Sequence, residues 1–454
     1  MLRHIHRRFM CVSESTAIAA GLLLGLLFVS AGAAESPESP LEPCQASAEQ
    51  TCSHATPDKF LIEDASATPP TVIGEEIDKT ERLKLAHFWR DHVGGGFVGK
   101  LAGFQVNGHF FLDSITEISG DVFSSEIEFR RIRLSVSRNI KEHLGVKASI
   151  ELLNGDIELK DLLVRRNYQW GDTQLGNFKE PFGLEQTASA RETVFMERSL
   201  ATVALAPTRS FGAGIRNSRN KFTLHAGVFV RSLEDDQLEN EGNSFTARVT
   251  HLDRSDQENF RHLGLGLSYR NYSDSEPPTF ATRPEVGLSD IYFADTGEIE
   301  NAASIVTFGL EALRVKGPWS VQGEVIGNQI TRDDGRGDLQ FYGAYGLITW
   351  SPTNHARRYD SYNARAVAVR PSTFFDQGGR GAWQLAGRVS YINLNDKDVI
   401  GGAETNLTFG VVWTPGPYVR FMADLIKVVD VNRPGCDCDG ADPLVLQARF
   451  QLAF

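Results

Sequence analysis

From Ala102 onward, apolar and polar residues alternate in segment after segment, and turn residues separate the segments. In EHLGVKASIELLN, Leu144, Val146, Ala148, Ile150 and Leu152 share one face of a period of two, the spacing of a half-buried strand. NKFTLHAGVFVR aligns Phe222, Leu224, Ala226, Val228 and Val230. FRHLGLGLSYRN aligns Leu263, Leu265, Leu267 and Tyr269, with His262, Gly264, Gly266, Ser268 and Arg270 opposite. The last segment, DPLVLQARFQLAF, carries its apolar face out to Phe454. The alternation predicts sixteen strands, near 102–114, 126–139, 142–154, 158–169, 173–180, 210–217, 220–231, 243–250, 260–271, 300–315, 317–331, 338–351, 379–391, 404–415, 417–429 and 443–454.

The connections sort into two kinds. Most even-numbered ones are short, as in NIKE, WGDT, NSRN, KGPW and TPGPY. The odd ones tend to be longer and polar or acidic, as in TEISGDVFSS, SLEDDQLENEG and YSDSEPPTFATRPEVGLSD. NGD at 154–156 and the long even segment 352–378 are exceptions. Short turns at one end, long loops at the other and an even strand number describe an outer-membrane barrel. Trp319, Trp383, Tyr391 and Trp413 sit near the ends of the apolar faces, where aromatic girdles meet the membrane interfaces. A soluble β-sandwich or propeller, the competing architecture, gives no reason for that placement. The expected fold is all-β, a transmembrane antiparallel β-barrel of about 16 strands, since only a closed barrel pairs every strand's backbone in lipid. Phe454 then faces lipid on the closing strand, and the aromatic end resembles the C-terminal assembly signal read by the barrel assembly machinery.

The N-terminal part reads differently. Arg3, Arg7 and Arg8 precede the apolar run AIAAGLLLGLLFVSAGAA, the build of a secretory signal peptide cleaved after Ala33 or Ala34. The expected organisation is a signal peptide at 1–34, a disordered or partly helical periplasmic extension at 35–93 and a barrel domain at 94–454. The extension is rich in Pro, Ser and Glu, a composition that buries too little apolar surface to fold alone. Loss of the leader leaves 43 basic against 57 acidic residues, a net charge near −14, which argues against nucleic acid as a partner. Cys44/Cys52 and Cys436/Cys438 form two local pairs that an oxidising compartment allows to bridge. Asp430, Asp437, Asp439 and Asp442 gather on one predicted outer loop and read as a solvated acidic loop rather than a cation site.

The polar face of each strand is expected to look into the lumen. Parity places Arg131, Arg133, Lys147, Arg165, Arg248, Arg270, Arg388, Arg420 and Arg449 there, against Glu151, Asp161, Glu311, Glu324 and Asp424. Lys179 joins them, although its parity is ambiguous. A basic lumen selects anions; the alternative is that these residues brace the wall in pairs. No HExxH, Walker loop, GxSxG or strand–GxGxxG–helix motif is present, so no catalytic residues, metal site or cofactor are assigned. A barrel-borne lipase would need a Ser–His pair on the lipid face, and His109, His225 and His262 find none on paper.

Three stretches resemble the phosphate-selective porin O and P family: EFRRIRL (128–134), GNFKEPFGLEQTASARETVFMERSL (176–200) and FGAGI (211–215). The resemblance implies a sixteen-stranded, usually trimeric channel for small inorganic anions such as phosphate. It implies an arginine ladder and a constriction made by a loop folded into the pore. By position, Arg130 and Arg131 match the family's paired arginines, and parity makes Arg131 the inward one. Glu185 and Arg191 lie in the constriction loop, 181–209, with Lys179 at its root. Gln186 stands where phosphate-specific members carry a lysine, and an expected lumen arginine is missing from AGFQVNG. Both changes remove positive charge, so a general or other-solute porin of the same fold stays open, with a barrel-based enzyme or adhesin as the less favoured class. Lys179, Arg131 and Arg191 are expected to matter most at the narrow zone, and Arg449 to lie near the periplasmic mouth.

Overall fold

A computed structural model describes residues 100–101, 104–120, 122–141, 143–153, 156–230, 242–272 and 276–454. The expected leader and extension, with Cys44 and Cys52, lie outside the described residues. Among the described residues, sixteen long antiparallel strands follow one another around a barrel. They are β1 (Phe104–Ser119), β2 (Glu126–Lys141), β3 (Leu144–Leu153), β4 (Asp156–Tyr168), β5 (Gly171–Lys179), β6 (Arg209–Arg219), β7 (Phe222–Phe229) and β8 (Asn243–Arg254). The second half comprises β9 (Asn259–Asn271), β10 (Ala302–Lys316), β11 (Trp319–Arg332), β12 (Leu339–Trp350), β13 (Ala382–Asp396), β14 (Val399–Thr414), β15 (Val419–Asn432) and β16 (Leu444–Ala453). Each of the sixteen overlaps its predicted segment, with ends that differ by up to about five residues. Pairing of β1 with β16, from His109↔Ala453 to Glu117↔Val445, closes the sheet.

The closing seam explains the apolar end of the last strand. Phe454 exchanges both backbone hydrogen bonds with Gly108 at 2.9 and 2.8 Å. Its ring lies over Gly108 on the outer face, where a Cβ would come within 2.5 Å of the ring. Only glycine leaves that space.

One end of the barrel, the terminal rim, holds the start of β1 and the end of β16. It also holds most of the short turns. An aromatic belt runs along this rim on the outer face of β11–β16. Trp319 stacks on Trp350 at 5.6 Å, Trp383 on Trp413 at 5.5 Å and Trp413 on Phe421 at 5.4 Å, and Phe421 meets Phe450 at 5.3 Å. Amphipathic rings prefer the level where lipid headgroups meet water. Tyr342 and Tyr391 pair at 6.1 Å toward the opposite, loop rim.

The inner face departs from simple alternation in two ways. Between β1 and β2 the register slips, with Phe111 opposite Arg131 and Leu112 opposite Phe129. Arg130 is the extra residue of a β-bulge, so it too turns inward, to 3.8 Å from Glu197. Parity alone had assigned that direction to Arg131 only. Along β11–β15 the inner face also carries buried apolar residues, including Ile326, Ile330, Leu339, Phe341, Ile392, Val412 and Met422. They are covered by chain folded into the barrel.

Cys436 and Cys438 are joined by a disulfide in the loop between β15 and β16. Its acidic residues hold their own loop: Asp439 accepts from the Arg433 amide, and Asp442 pairs with Lys427 at 3.0 Å.

Candidate functional site

A barrel this wide leaves an aqueous lumen unless something fills it. Among the described residues three segments do so. The connection 180–208 enters after β5, as the predicted constriction loop. It carries two short helices, α1 (Leu184–Thr187) and α2 (Leu200–Leu205). Phe182 begins the crossing. Its ring rests on the directly paired Gly266 and Gly309 of β9 and β10, whose added Cβ atoms would approach it to 3.0 and 2.7 Å. Glu324 on β11 then accepts from the amides of Leu184 and Glu185 at 2.8 and 2.7 Å. The apolar stretch Val194, Phe195 and Met196 packs on Tyr345, Leu347, Ala386, Val412 and Met422. Met196 donates its amide to Asp424 at 2.7 Å, and Leu200 donates to Ser390 at 3.0 Å. Glu185 ties the two ends of the loop together by accepting from the Ser199 amide and hydroxyl.

The second segment is the long connection 351–381, which enters from the terminal rim. Its small hairpin pairs Arg358–Asp360 with Arg365–Val367. Arg248 donates to the carbonyls of Asn363 and Ala364 at 3.1 and 2.8 Å, while Tyr359 bonds His262 at 2.7 Å. Arg357 reaches Gln322 at 3.1 Å, and burial lowers its guanidinium to about 10. The hairpin touches the constriction loop directly: Arg365 donates to the Thr187 carbonyl, and the Ala368 amide donates to Glu192 at 3.0 Å. The third segment, between β9 and β10, carries a hairpin of Thr279–Thr282 with Ala294–Glu298. From it Glu285 reaches Arg388 at 2.7 Å and Thr408 at 2.7 Å.

All three segments pack largely against β8–β16, and an open cavity remains along β1–β7. Arg133, Lys147, Arg165, Lys179, Arg191, Arg209, Arg216 and Arg365 line it, against Asp161, Asp172 and Glu192. Lys147 and Arg209 share Asp161 at 2.8 and 3.2 Å, and Arg216 pairs with Asp172 at 3.1 Å. Lys179 stands under the constriction loop and donates to the carbonyls of Gln186 and Ala188, each at 2.7 Å. Tyr362, at the tip of the terminal-rim hairpin, lies between the guanidinium groups of Arg165 and Arg216, 4.3 and 4.0 Å from its ring centre. Burial pushes its phenol above the ordinary tyrosine range.

The expected lumen residues divide into two groups. Arg133, Lys147, Arg165, Lys179 and Arg191 border the cavity. The others point inward but contact other parts of the protein. Arg131 lies on Glu151 at 3.0 Å; Arg248 pairs with Glu311 at 2.8 Å; Arg270 pairs with Glu180. Arg388 crosses to Glu285, and Arg420 donates to the carbonyls of Arg191 and Thr193 at 3.0 and 2.8 Å. Arg449 grips Asp113 through two nitrogens, at 2.7 and 2.6 Å, and holds the Met196 carbonyl at 2.8 Å. That places it against the constriction loop rather than at the mouth. Gln186 is buried, with its amide on the Pro207 carbonyl at 3.0 Å. His109, His225 and His262 all turn inward, away from the lipid face where a lipase pair would have to stand.

Arg209, Arg216, Tyr362 and Arg365 were missed as lining residues. Parity within FGAGIRN, with Phe211, Ala213 and Ile215 outward, marks Arg216 in retrospect. Nothing local marks Tyr362 or Arg365, because their connection folds inward only through tertiary contacts. Two loop carboxyls show how the charges settle. Burial alone would raise Glu192 and Glu197, yet Arg191 beside the first, and Arg130 and Arg449 beside the second, hold both below the ordinary glutamate value.

A closed sixteen-stranded barrel, belted by aromatics and narrowed by inward-folded loops, is the build of an outer-membrane porin. The family model for phosphate-selective porins O and P matches residues 106–454, and the chain belongs to that family. It is 27% identical over 351 residues to a protein of Caulobacter vibrioides, covering 72% of this chain and 68% of that one. It is 24% identical over 289 residues to porin O of Pseudomonas aeruginosa, covering 56% of this chain and 64% of that one. Among solved structures it is similar to the anion-selective porin from Comamonas acidovorans, with a TM-score of 0.49, 13% identity and coverage of 77% of this chain and 99% of that one. It is also similar to OmpT of Vibrio cholerae, with a TM-score of 0.47, 10% identity and coverage of 77% and 97%.

Proposed function

We propose that the protein is a passive channel for small anions, phosphate or related oxyanions, that cross the outer membrane along the β1–β7 side of the lumen. The charge of the cavity lining carries this reading: eight cationic side chains face three carboxylates, although the whole chain has a formal charge of −12. Fixed cations along a narrow aqueous path raise the local anion concentration and lower the barrier to entry. The loop 180–208 and the terminal-rim hairpin narrow the path from opposite ends. Short turns support a periplasmic position for the terminal rim, and family membership supports a homotrimer.

A porin of the same shape without phosphate specificity is the second reading. The position of Gln186 favours it: its amide is spent on a loop carbonyl and supplies no charge to the path. Anion preference with weak phosphate affinity is therefore expected. The test is chloride current through single channels in planar bilayers as phosphate is added. Gradual inhibition at millimolar phosphate fits the reading, and block at low micromolar phosphate would contradict it.

A further inference from the structure

On its outer face the terminal rim changes chemistry with position. β11–β16 carry the aromatic belt described above. At the same height β9 and β10 carry Arg261, Arg314 and Lys316. Alternation puts all three on the lipid-facing side: Arg261 continues the exposed column Leu263, Leu265 and Leu267, and Arg314 and Lys316 continue the column of Phe308 and Leu310. Arg261 and Arg314 are direct cross-strand partners, so two cationic stems leave the sheet side by side. Lys316 is paired with Trp319, at the edge of the aromatic belt. Lys221 and Asp253 extend the patch, with Asp253 2.6 Å from Lys221 and 3.7 Å from Arg261. Asp253 thus lies within ion-pair distance of two of the four cations, and among the described residues no carboxylate of the wall pairs with Arg314 or Lys316.

Like charges placed directly opposite in a sheet destabilise it. At this level of a membrane an anion that bridges them is available from the lipid itself. Basic residues at an interface attract acidic headgroups, and their alkyl stems can lie along apolar surface while the charge stays at headgroup height. We propose that the Arg261–Arg314–Lys316 patch binds the headgroup of an anionic phospholipid of the leaflet at the terminal rim, with its acyl chains along the leucine and phenylalanine columns. This depends on the barrel spanning a bilayer and not on anion conduction, because the three side chains lie outside the lumen.

The test uses the full-length protein in detergent, with native mass spectrometry after addition of phosphatidylglycerol or phosphatidylcholine. Phosphatidylglycerol should be retained and phosphatidylcholine not. Lys316→Gln should weaken retention about fivefold, and Arg261→Gln/Arg314→Gln/Lys316→Gln roughly a hundredfold, given the usual contribution of each interfacial cation. Heat-modifiable mobility establishes that each variant is folded, and the single exposed Lys316→Gln change keeps the test open if the triple variant fails to assemble. Equal retention of the two lipids, full retention by Lys316→Gln, an equal loss in Arg336→Gln at the loop rim, or displacement of the lipid by millimolar inorganic phosphate would each overturn the proposal. An unchanged reversal potential in the triple variant would separate this outcome from that of the channel reading.

Discussion

Lys179 and Arg449 show how two inward cations come to do different work. Both sit on inward positions of wall strands. Lys179 borders the open cavity, with its ammonium held by two loop carbonyls. Arg449 is buried against Asp113 and the constriction loop. A charge beside a narrow path interacts with a passing ion more strongly than one in wide solvent, because less water screens it. Lys179→Gln is expected to lower the anion-to-cation permeability ratio by roughly fivefold, the equivalent of about 1 kcal/mol. Arg336→Gln, on an exposed loop-rim turn, should change it little. Equal effects in bilayer recordings would place the selective zone elsewhere. The inward direction of these residues was legible in the sequence, since a period of two leaves a residue only two faces. Their separation into path and clamp was not, because it depends on which part of the wall the in-folded segments cover. Arg130 marks the other limit, since a bulge is one extra residue that alternation cannot register.

At the scale of elements, the constriction loop and the terminal-rim hairpin act as one unit. Glu192 receives the Ala368 amide across their junction, and Glu197 faces Arg130 and Arg449. Both carboxyls are held below the ordinary glutamate value by neighbouring arginines, which outweigh burial. A depressed folded value means that their contribution to docking is fully present above the unfolded glutamate value of about 4.3 and is lost as pH falls through the folded value. Noise that arises from loosening of the Glu192 and Glu197 contacts should therefore be absent from neutral pH down to about pH 5 and appear only below about pH 4. Single-channel records across that range would check this, and noise that grows between pH 7 and pH 5 would contradict it. The apolar run TVFM and its position after β5 made the loop readable as a plug. The hairpin at 358–367 was readable only as an anomaly, a long connection on the short-turn side. Its inward course rests on contacts with residues about a hundred positions away, such as Arg248 and His262, which no local pattern encodes.

For the molecule as a whole, sheet closure accounts for the outer face and the in-folded segments account for the inner one. Strand number, order and outward face followed from alternation, because a lipid-facing barrel repeats one rule on every strand. The asymmetry inside did not follow. In-folded chain occupies the β8–β16 half and buries Glu311, Glu324, Glu404 and Asp424 there. The β1–β7 half stays open and keeps its arginines and lysines along the cavity. An acidic protein can thus present a basic path. The most direct measurement is the reversal potential of single channels in a planar bilayer under a KCl gradient. The account predicts the sign of an anion-selective channel. A cation-selective or unselective reversal potential would contradict it.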